Sequence, residues 1–222
     1  MNGGNIMRKG LTELVFILDR SGSMSGLESD TIGGFNSLMT KQKEEEGDAK
    51  VTTVLFDDQY ELLHDRYNIG KINKITGKEY FVRGTTALLD AMGKTITKME
   101  NTQKYEAEDE KAEKVMFVII TDGMENASSE YSYDKIKKMI DRQKEKYAWE
   151  FIFLGANIDA VKTASRFGIS EDRAANYHAD SKGTVLSYEV INEAVSMVRG
   201  EKSINSHWKD TIDEDYKKRE RR

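Results

Sequence analysis

Four apolar runs along the chain are rich in Val, Ile and Phe, and each of them ends in Asp or Gly. Their apolar residues are continuous, whereas a strand with one solvated face alternates apolar and polar positions. Continuous runs of this length are typical of strands covered on both faces of a parallel sheet. The predicted strands are Glu13–Asp19, Val51–Asp57, Lys114–Asp122 and Trp149–Gly155. A more polar run, Tyr60–Tyr67, predicts a strand at the edge of the sheet.

The segments between these runs place apolar residues three or four positions apart, which is the spacing of one helix face. The apolar stripes are Ile32, Phe35, Leu38 and Met39; Leu88, Met92, Ile96 and Met99; Ile136, Met139, Ile140 and Tyr147; and Tyr188, Ile191, Val195 and Val198. A shorter helix is predicted over Ala160–Phe167, ended by Gly168. Strands that alternate with helices indicate βαβ units. The predicted fold is α/β and doubly wound, with a mostly parallel central sheet, one antiparallel edge strand and helices on both faces.

The composition of the 222 residues removes several classes of chemistry. The chain has no cysteine, which excludes disulfides, thiolate catalysis, cysteine-ligated zinc and iron–sulfur clusters. A formal net charge of -5 argues against broad nucleic-acid binding, which needs a basic surface. The apolar runs are too short to span a bilayer, and residues 1–10 lack the apolar segment of a signal peptide. We expect a soluble, cytoplasmic protein with no membrane partner.

One domain over residues 8–200 and a helical or flexible tail over residues 201–222 fit the length and the spacing of the predicted elements. Three apolar residues stand at intervals of four positions in the tail, namely Ile204, Trp208 and Ile212. A helical stripe of this kind either packs on the domain or binds a partner, and packing on the domain is the favoured interpretation. The basic cluster at 217–222 is interpreted as a complement to a helix C-terminus.

Polar side chains follow the predicted strands at the edge where open α/β sheets bind their ligands. The first strand ends in Asp19, with Ser21 and Ser23 two and four positions later. Residues 84–88 supply further hydroxyls before a helix, and Asp122 ends another apolar strand. An oxygen set with no soft ligand suits Mg²⁺, Mn²⁺ or Ca²⁺ rather than zinc or copper. Residues two apart in an extended turn can point the same way, so the first three side chains can converge on one ion.

Three motifs carry a family resemblance: DRSGSM at 19–24, GTTALLDA at 84–91 and ITDG at 120–123. Together they resemble a von Willebrand factor A domain with a metal-ion-dependent adhesion site, over nearly the whole chain. The resemblance places five residues in the metal motif, namely Asp19, Ser21, Ser23, Thr86 and Asp122. The family's T-x-L-x-D-A spacing fits Thr86 rather than Thr85.

The resemblance implies that the three hydroxyl residues bind the ion and that the two aspartates act directly or through water. It implies Mg²⁺, with Mn²⁺ or Ca²⁺ as alternatives, and a protein ligand whose Glu or Asp carboxylate completes the coordination. Neutral hydroxyls do not quench the charge of the ion, so that it stays attractive to an incoming carboxylate. The segment FLGANIDA at 153–160 is similar to intracellular bacterial members of the family, which work with protein partners.

Several residues near these motifs have interpretations that do not involve a metal. Asp90 lies in the first turn of a predicted helix, where a carboxylate favours the helix dipole, and is interpreted as structural. Asp57 and Asp58 are interpreted as a solvated turn at the same edge. Met24 has two open interpretations, a ligand surface and packing. His64 and the other histidines lack the spacing of a zinc pair and are interpreted as surface or hydrogen-bonded side chains.

Two other functions compete with metal-dependent protein binding. A haloacid-dehalogenase-like phosphatase also places an aspartate after the first strand, but it needs a second carboxylate where this chain has Ser21. The serine-hydrolase elbow and the glycine-rich phosphate loops are absent. A scaffolding domain with a vestigial metal site is the other alternative. We expect a non-catalytic module, in which loss of a ligand reduces partner binding more than fold stability.

Overall fold

The computed structural model describes residues 8–220, and these residues form one six-stranded sheet between two layers of helices. The strands are β1 (Arg8–Asp19), β2 (Asp48–Phe56), β3 (Tyr60–Asn68), β4 (Ala112–Thr121), β5 (Glu150–Gly155) and β6 (Ala174–Asn176). The order in the sheet is β3-β2-β1-β4-β5-β6, and only the edge strand β3 is antiparallel to its neighbour. The predicted fold class is therefore confirmed.

The helices of the described residues pack on both faces of this sheet. They are α1 (Glu28–Glu44), α2 (Leu88–Tyr105), α3 (Tyr133–Tyr147), α4 (Ala160–Arg166), α5 (Ser181–Arg199) and α6 (Asp210–Glu220). In β1, Leu14, Phe16 and Leu18 pack in the core cluster that contains residues of α1 and α5. The alternate residues Val15 and Ile17 pack in the cluster that contains residues of α2 and α3. Both faces of β1 are thus buried, which is why its apolar run is continuous.

The central position of β1 determines where a ligand is expected. Its residue Leu14 lies opposite Val51 of β2 on one side and opposite Met116 of β4 on the other. After β1 the chain adds β2 and β3 on one side of β1. It then adds β4, β5 and β6 on the other side. The strand order therefore reverses between β1 and β4, and the carboxyl ends of these two strands border the crevice at which such folds bind ligands.

Three strands of the structure differ from the sequence-based expectation. The strand β6 has only three residues, Ala174–Asn176, and its sequence Ala-Ala-Asn has no β-branched or aromatic residue that would indicate a strand. The strands β1 and β2 begin at Arg8 and Asp48, several residues before their apolar runs, because backbone pairing continues into polar positions.

The tail residues pack against the rest of the protein. Ile204, Trp208 and Ile212 are each no more than 3% exposed and belong to the same core cluster as α1 and α5. The indole N–H of Trp208 donates to the carbonyl oxygen of Asp172 at 2.7 Å. The predicted apolar stripe is therefore covered, whereas the boundary at residue 200 stays a prediction. Residues 221 and 222 of the basic cluster lie outside the described residues. None of the described helices combines the length and apolarity needed to cross a membrane.

A buried histidine on β3 makes stability depend on pH. His64 is 7% exposed, its Nδ1 lies 3.0 Å from the hydroxyl of Thr53, and its ring stacks on Phe35. Burial lowers the pKa of His64 below its ordinary value of 6.5, while the charge of Glu79 acts in the opposite direction. The unfolded chain therefore binds a proton that the folded protein resists, and stability falls as the pH drops below about 6.5.

We expect the His64→Gln variant to lose less free energy of unfolding than the wild type between pH 7.5 and pH 5.5. Urea denaturation at the two pH values measures this difference. Equal losses in the two proteins would show that His64 does not contribute to the pH dependence.

Candidate metal centre

Three loops meet at the carboxyl ends of β1 and β4. The first loop (residues 19–24) follows β1, the second loop (residues 83–87) precedes α2, and the third loop (residues 121–131) follows β4. The backbone N–H of Gly22 donates to the carbonyl of Gly84 at 3.2 Å, which joins the first loop to the second. Gly84 has a φ of +66°, a left-handed backbone conformation that glycine adopts without strain.

Three hydroxyl groups converge where the loops meet. The Oγ of Ser21 lies 2.9 Å from the Oγ of Ser23 and 3.0 Å from the Oγ1 of Thr86. Gly123 of the third loop lies beside them, since a Cβ atom there would be 2.9 Å from the Ser23 hydroxyl and 3.2 Å from the Thr86 hydroxyl. Glycine therefore keeps the space next to the hydroxyls free of a side chain. Thr86 is buried and touches the cluster, whereas Thr85 is exposed.

The carboxylate of Asp19 is buried and fully engaged in hydrogen bonds. Its Oδ1 accepts the backbone N–H of Ser21 at 2.7 Å, and its Oδ2 accepts the hydroxyl of Thr121 at 2.6 Å. Burial raises the pKa of Asp19, and the hydrogen bonds from Thr121 and Ser21 offset part of the rise. Asp19 therefore holds the first loop in shape as well as facing the site.

The carboxylate of Asp122 is also buried but, unlike that of Asp19, it accepts no hydrogen bond from the described residues. The residue is 1% exposed, yet neither of its carboxylate oxygens has a donor among residues 8–220 at the distance and angle of a hydrogen bond. Burial raises the pKa of Asp122 to about 6; the nearby Ser23 hydroxyl offsets part of this rise, and the negative charge of Asp19 adds to it. An unpaired buried carboxylate is costly, so a group at this position is expected to have a positively charged partner.

The side chains present fit a small, hard divalent cation. Adjacent oxygens around an octahedral Mg²⁺ ion with bonds of about 2.1 Å lie about 3 Å apart. The hydroxyl separations of 2.9 and 3.0 Å match this spacing and are also those of hydrogen bonds between hydroxyls. Two unpaired carboxylate oxygens of Asp122 stand beside the cluster. Among the described residues no group of three or more His, Asp or Glu side chains is arranged to hold a metal ion. The candidate set from the sequence motifs consists of two carboxylates and three hydroxyls. That these five residues bind a metal stays a prediction.

Several residues that support the site were not identified from the sequence. The hydroxyl of Tyr80 donates to the carbonyl of Asp19 at 2.5 Å, and Tyr80 is fully buried. The side-chain oxygen of Asn126 accepts the backbone N–H of Thr86 at 2.9 Å. Tyr80 and Asn126 lie 61 and 40 positions from these partners, so local sequence carries no signal for the contacts. Thr121, which donates to Asp19, precedes Asp122 in the sequence. Its position next to the motif is the signal that could have identified it as a supporting residue.

The interpretation of Asp57 as part of a solvated turn is wrong, because its side chain is fully buried in an ion-pair cluster. Its Oδ2 lies 3.0 Å from Nε of Arg20 and 2.7 Å from Nε of Arg83. Burial alone would raise the pKa of Asp57, but the Arg83 hydrogen bond, the Gln59 backbone N–H and the two positive charges lower it. Since Arg20 follows Asp19 and Arg83 precedes Gly84, the cluster links the first two loops to the β2–β3 turn. Asp58 is exposed.

The neighbouring hydrophobic side chains divide into buried and exposed ones. Met24 is 1% exposed and belongs to the core, which decides between its two interpretations in favour of packing. Met124 of the third loop is 74% exposed. Phe81 is 42% exposed, and the guanidinium of Arg20 stands 5.4 Å from its ring centre. Exposed hydrophobic side chains therefore stand in the third loop and, in the sequence, just before the second loop.

Solved structures share this architecture. Proximal thread matrix protein 1 from the mussel byssus aligns with a TM-score of 0.58 and 16% identity, over 86% of this chain and 46% of that one. A von Willebrand factor type A structure from Catenulispora acidiphila aligns with a TM-score of 0.58 and 14% identity, over 84% of this chain and 42% of that one. The manganese-loaded TRAP protein of Plasmodium vivax aligns with a TM-score of 0.53 and 15% identity, over 82% of this chain and 72% of that one.

These similarities define the class of fold. The chain has the fold of a von Willebrand factor A domain, as the sequence motifs predicted. It spans less than half the length of the mussel and Catenulispora proteins. No protein-family model and no curated protein matches the sequence.

Proposed function

We propose that this protein is a non-catalytic module that binds a partner protein through a divalent metal ion. The observation that carries the proposal is the buried Asp122 carboxylate, which has no hydrogen bond from residues 8–220 and lies next to three converging hydroxyls. A side chain in this state lowers the stability of the metal-free protein. Its presence is accounted for if the protein functions with a cation bound there.

The chain contributes binding, orientation and a limited amount of negative charge. Ser21, Ser23 and Thr86 would hold the ion through neutral oxygens, while Asp19 and Asp122 would balance its charge. When bound, the ion would supply a Lewis-acidic centre that attracts the Glu or Asp carboxylate of a partner. Asp19 keeps the first loop in its binding conformation through its bonds to Ser21 and Thr121.

Mg²⁺ is the proposed ion, with Mn²⁺ or Ca²⁺ as alternatives. The hydroxyl separations of 2.9 and 3.0 Å fit the spacing of oxygens around an octahedral Mg²⁺ ion. Among the similar structures, the TRAP protein is loaded with manganese. One structure of the mussel protein has zinc in its MIDAS motif, with a TM-score of 0.57 and 14% identity to this chain.

The proposed partner is a protein with an acidic side chain next to apolar residues. Phe81, two residues before the second loop, and Met124, in the third loop, are exposed and would offer apolar contact to residues that flank the acid. The similarity of residues 153–160 to intracellular bacterial members of the family supports a bacterial, cytoplasmic module with neither nucleic acid nor membrane as partner.

The proposal predicts that capture of a partner depends on both the metal and the site. We expect the protein to retain a partner in pull-downs from its host lysate with Mg²⁺, and to lose it with EDTA or in the Ser21→Ala variant. The Ser29→Ala variant removes an exposed hydroxyl of α1 and is expected to behave like the wild type.

Capture that survives both EDTA and Ser21→Ala would contradict the proposal and favour the scaffolding alternative. Mg²⁺-dependent phosphatase turnover that Asp19→Asn abolishes would instead favour an enzyme.

A further inference from the structure

The third loop is joined to the first turn of α2 by hydrogen bonds in both directions. The first N–H groups of a helix have no partner within the helix and need an outside acceptor. The carboxylate of Glu125 accepts the N–H of Leu89 at 2.9 Å, and the hydroxyl of Ser128 accepts the N–H of Asp90 at 3.0 Å. Side chains of the third loop therefore cap the helix that begins directly after the second loop.

The reverse bonds come from the side chain of Asp90 on α2. Its carboxylate accepts the backbone N–H groups of Ser129, Glu130 and Tyr131 at 3.0, 3.0 and 2.9 Å. Asp90 is 8% exposed, so these bonds are largely shielded from water. The third loop and the start of α2 thus hold each other. Asp90 has a structural role, because its carboxylate fixes the backbone of the third loop.

The metal-motif residue Thr86 is tied directly to the same loop. Its backbone N–H donates to Oδ1 of Asn126 at 2.9 Å, and its carbonyl accepts the backbone N–H of Asn126 at 3.0 Å. Both polar groups of the Thr86 backbone are therefore engaged by one residue. Asn126 lies four positions after Asp122, so the pair fixes the second loop relative to the third.

We propose that Asn126 is a positioning residue of the metal centre, which sets the spacing between Thr86 and Asp122. This inference rests on the proposed function, because it concerns how tightly the same site binds its ion. Asn126 is itself exposed, and its side chain makes its hydrogen bond with the backbone of a proposed ligand rather than with the core. Supporting residues of this kind typically change metal affinity by about 10- to 100-fold when they are removed.

Calorimetric titration of the full chain with MgCl₂ tests the inference. We expect Asn126→Ala to weaken Mg²⁺ binding about tenfold or more, because Thr86 loses the acceptor that orients it. Asn126→Asp keeps an acceptor oxygen at the same place and is expected to bind Mg²⁺ at least as tightly as the wild type. Asp90→Asn, which loses one acceptor oxygen on the other side of the contact, is expected to weaken binding as well.

The matched control is Ser132→Ala, which removes the side-chain cap of α3 on the backbone N–H of Lys135. We expect this variant to lose thermal stability without a change in Mg²⁺ affinity. Wild-type affinity in Asn126→Ala would overturn the positioning role of Asn126, whatever the affinity of Asp90→Asn, and would leave the proposed function standing. A wild-type protein that takes up no Mg²⁺ or Mn²⁺ would overturn the proposed function itself.

Discussion

Asp19→Ala is expected to lower the free energy of unfolding of the metal-free protein by about 2–4 kcal/mol. The substitution leaves the buried backbone N–H of Ser21 without an acceptor. It also removes the 2.6 Å hydrogen bond from the Thr121 hydroxyl, whose remaining acceptor is the carbonyl of Gly123 at 3.3 Å. It also removes one of the two carboxylates of the candidate centre, so that Mg²⁺ should no longer stabilise the protein. That loss of a ligand reduces partner binding more than fold stability stays a prediction, and Asp19→Ala is the variant that tests it.

Asp19→Asn is the matched control for the structural part of this effect. The amide keeps one oxygen for the Ser21 N–H, and its NH₂ group can donate to the Thr121 hydroxyl. We expect stability within about 1 kcal/mol of the wild type and loss of Mg²⁺ binding all the same. Urea denaturation with EDTA measures the first effect and calorimetry the second. Equal stabilities of Asp19→Ala and the wild type would refute the structural role of Asp19.

Asp122→Asn is expected to have the opposite effect on the metal-free protein and to raise its free energy of unfolding by about 1–3 kcal/mol at neutral pH. The wild-type carboxylate is buried and has no hydrogen bond from residues 8–220, and the charge of Asp19 opposes its ionisation. A neutral amide removes that charge from the site. The stabilisation that Mg²⁺ gives the wild type, about 2.7 kcal/mol at a concentration of 100 times the Kd, should disappear.

Thermal and urea denaturation, each with EDTA and with Mg²⁺, measure both parts of the Asp122 prediction. Asp58→Asn is the control, since Asp58 is an exposed aspartate at the same edge of the sheet. It should change neither the metal-free stability nor the response to Mg²⁺. A metal-free Asp122→Asn protein that is less stable than the wild type would show that Asp122 has a stabilising partner.

The two predictions together distinguish a site that functions with a metal from a vestigial one. In a vestigial site nothing offsets the cost of burying the ionised Asp122 carboxylate. In a functional site the bound metal ion offsets that cost, so the metal-free form is less stable and the affinity for the metal is higher. The free energy of unfolding of the metal-free protein should fall in Asp19→Ala and rise in Asp122→Asn, and both variants should lose Mg²⁺ binding. This combination is expected only if Asp19 stabilises the first loop and Asp122 serves the metal ion.

The fold class could be predicted because central strands that are buried on both faces have continuous apolar runs in their own sequence. In β1, Leu14 and Phe16 pack against one helical layer and Val15 and Ile17 against the other, so the run from Leu14 to Leu18 is apolar throughout. The short strand β6 could not be predicted, since its three residues join the sheet through backbone pairing with β5. Ala174 and Ala175 are buried, but three residues are too few to show an apolar pattern, and alanine has no preference for strands.

The candidate site shows the same division. The sequence alone determined the layers of the fold and the five residues of the motif, because each motif stands where a predicted strand ends or a helix begins. Only the tertiary structure decided that Asp57 is buried between Arg20 and Arg83 and that Asn126 holds Thr86. It also decided that Asp19 is hydrogen-bonded while Asp122 is not. The physical reason is that these contacts join residues far apart in the chain, and the environment of a charge depends on the neighbours that folding brings to it.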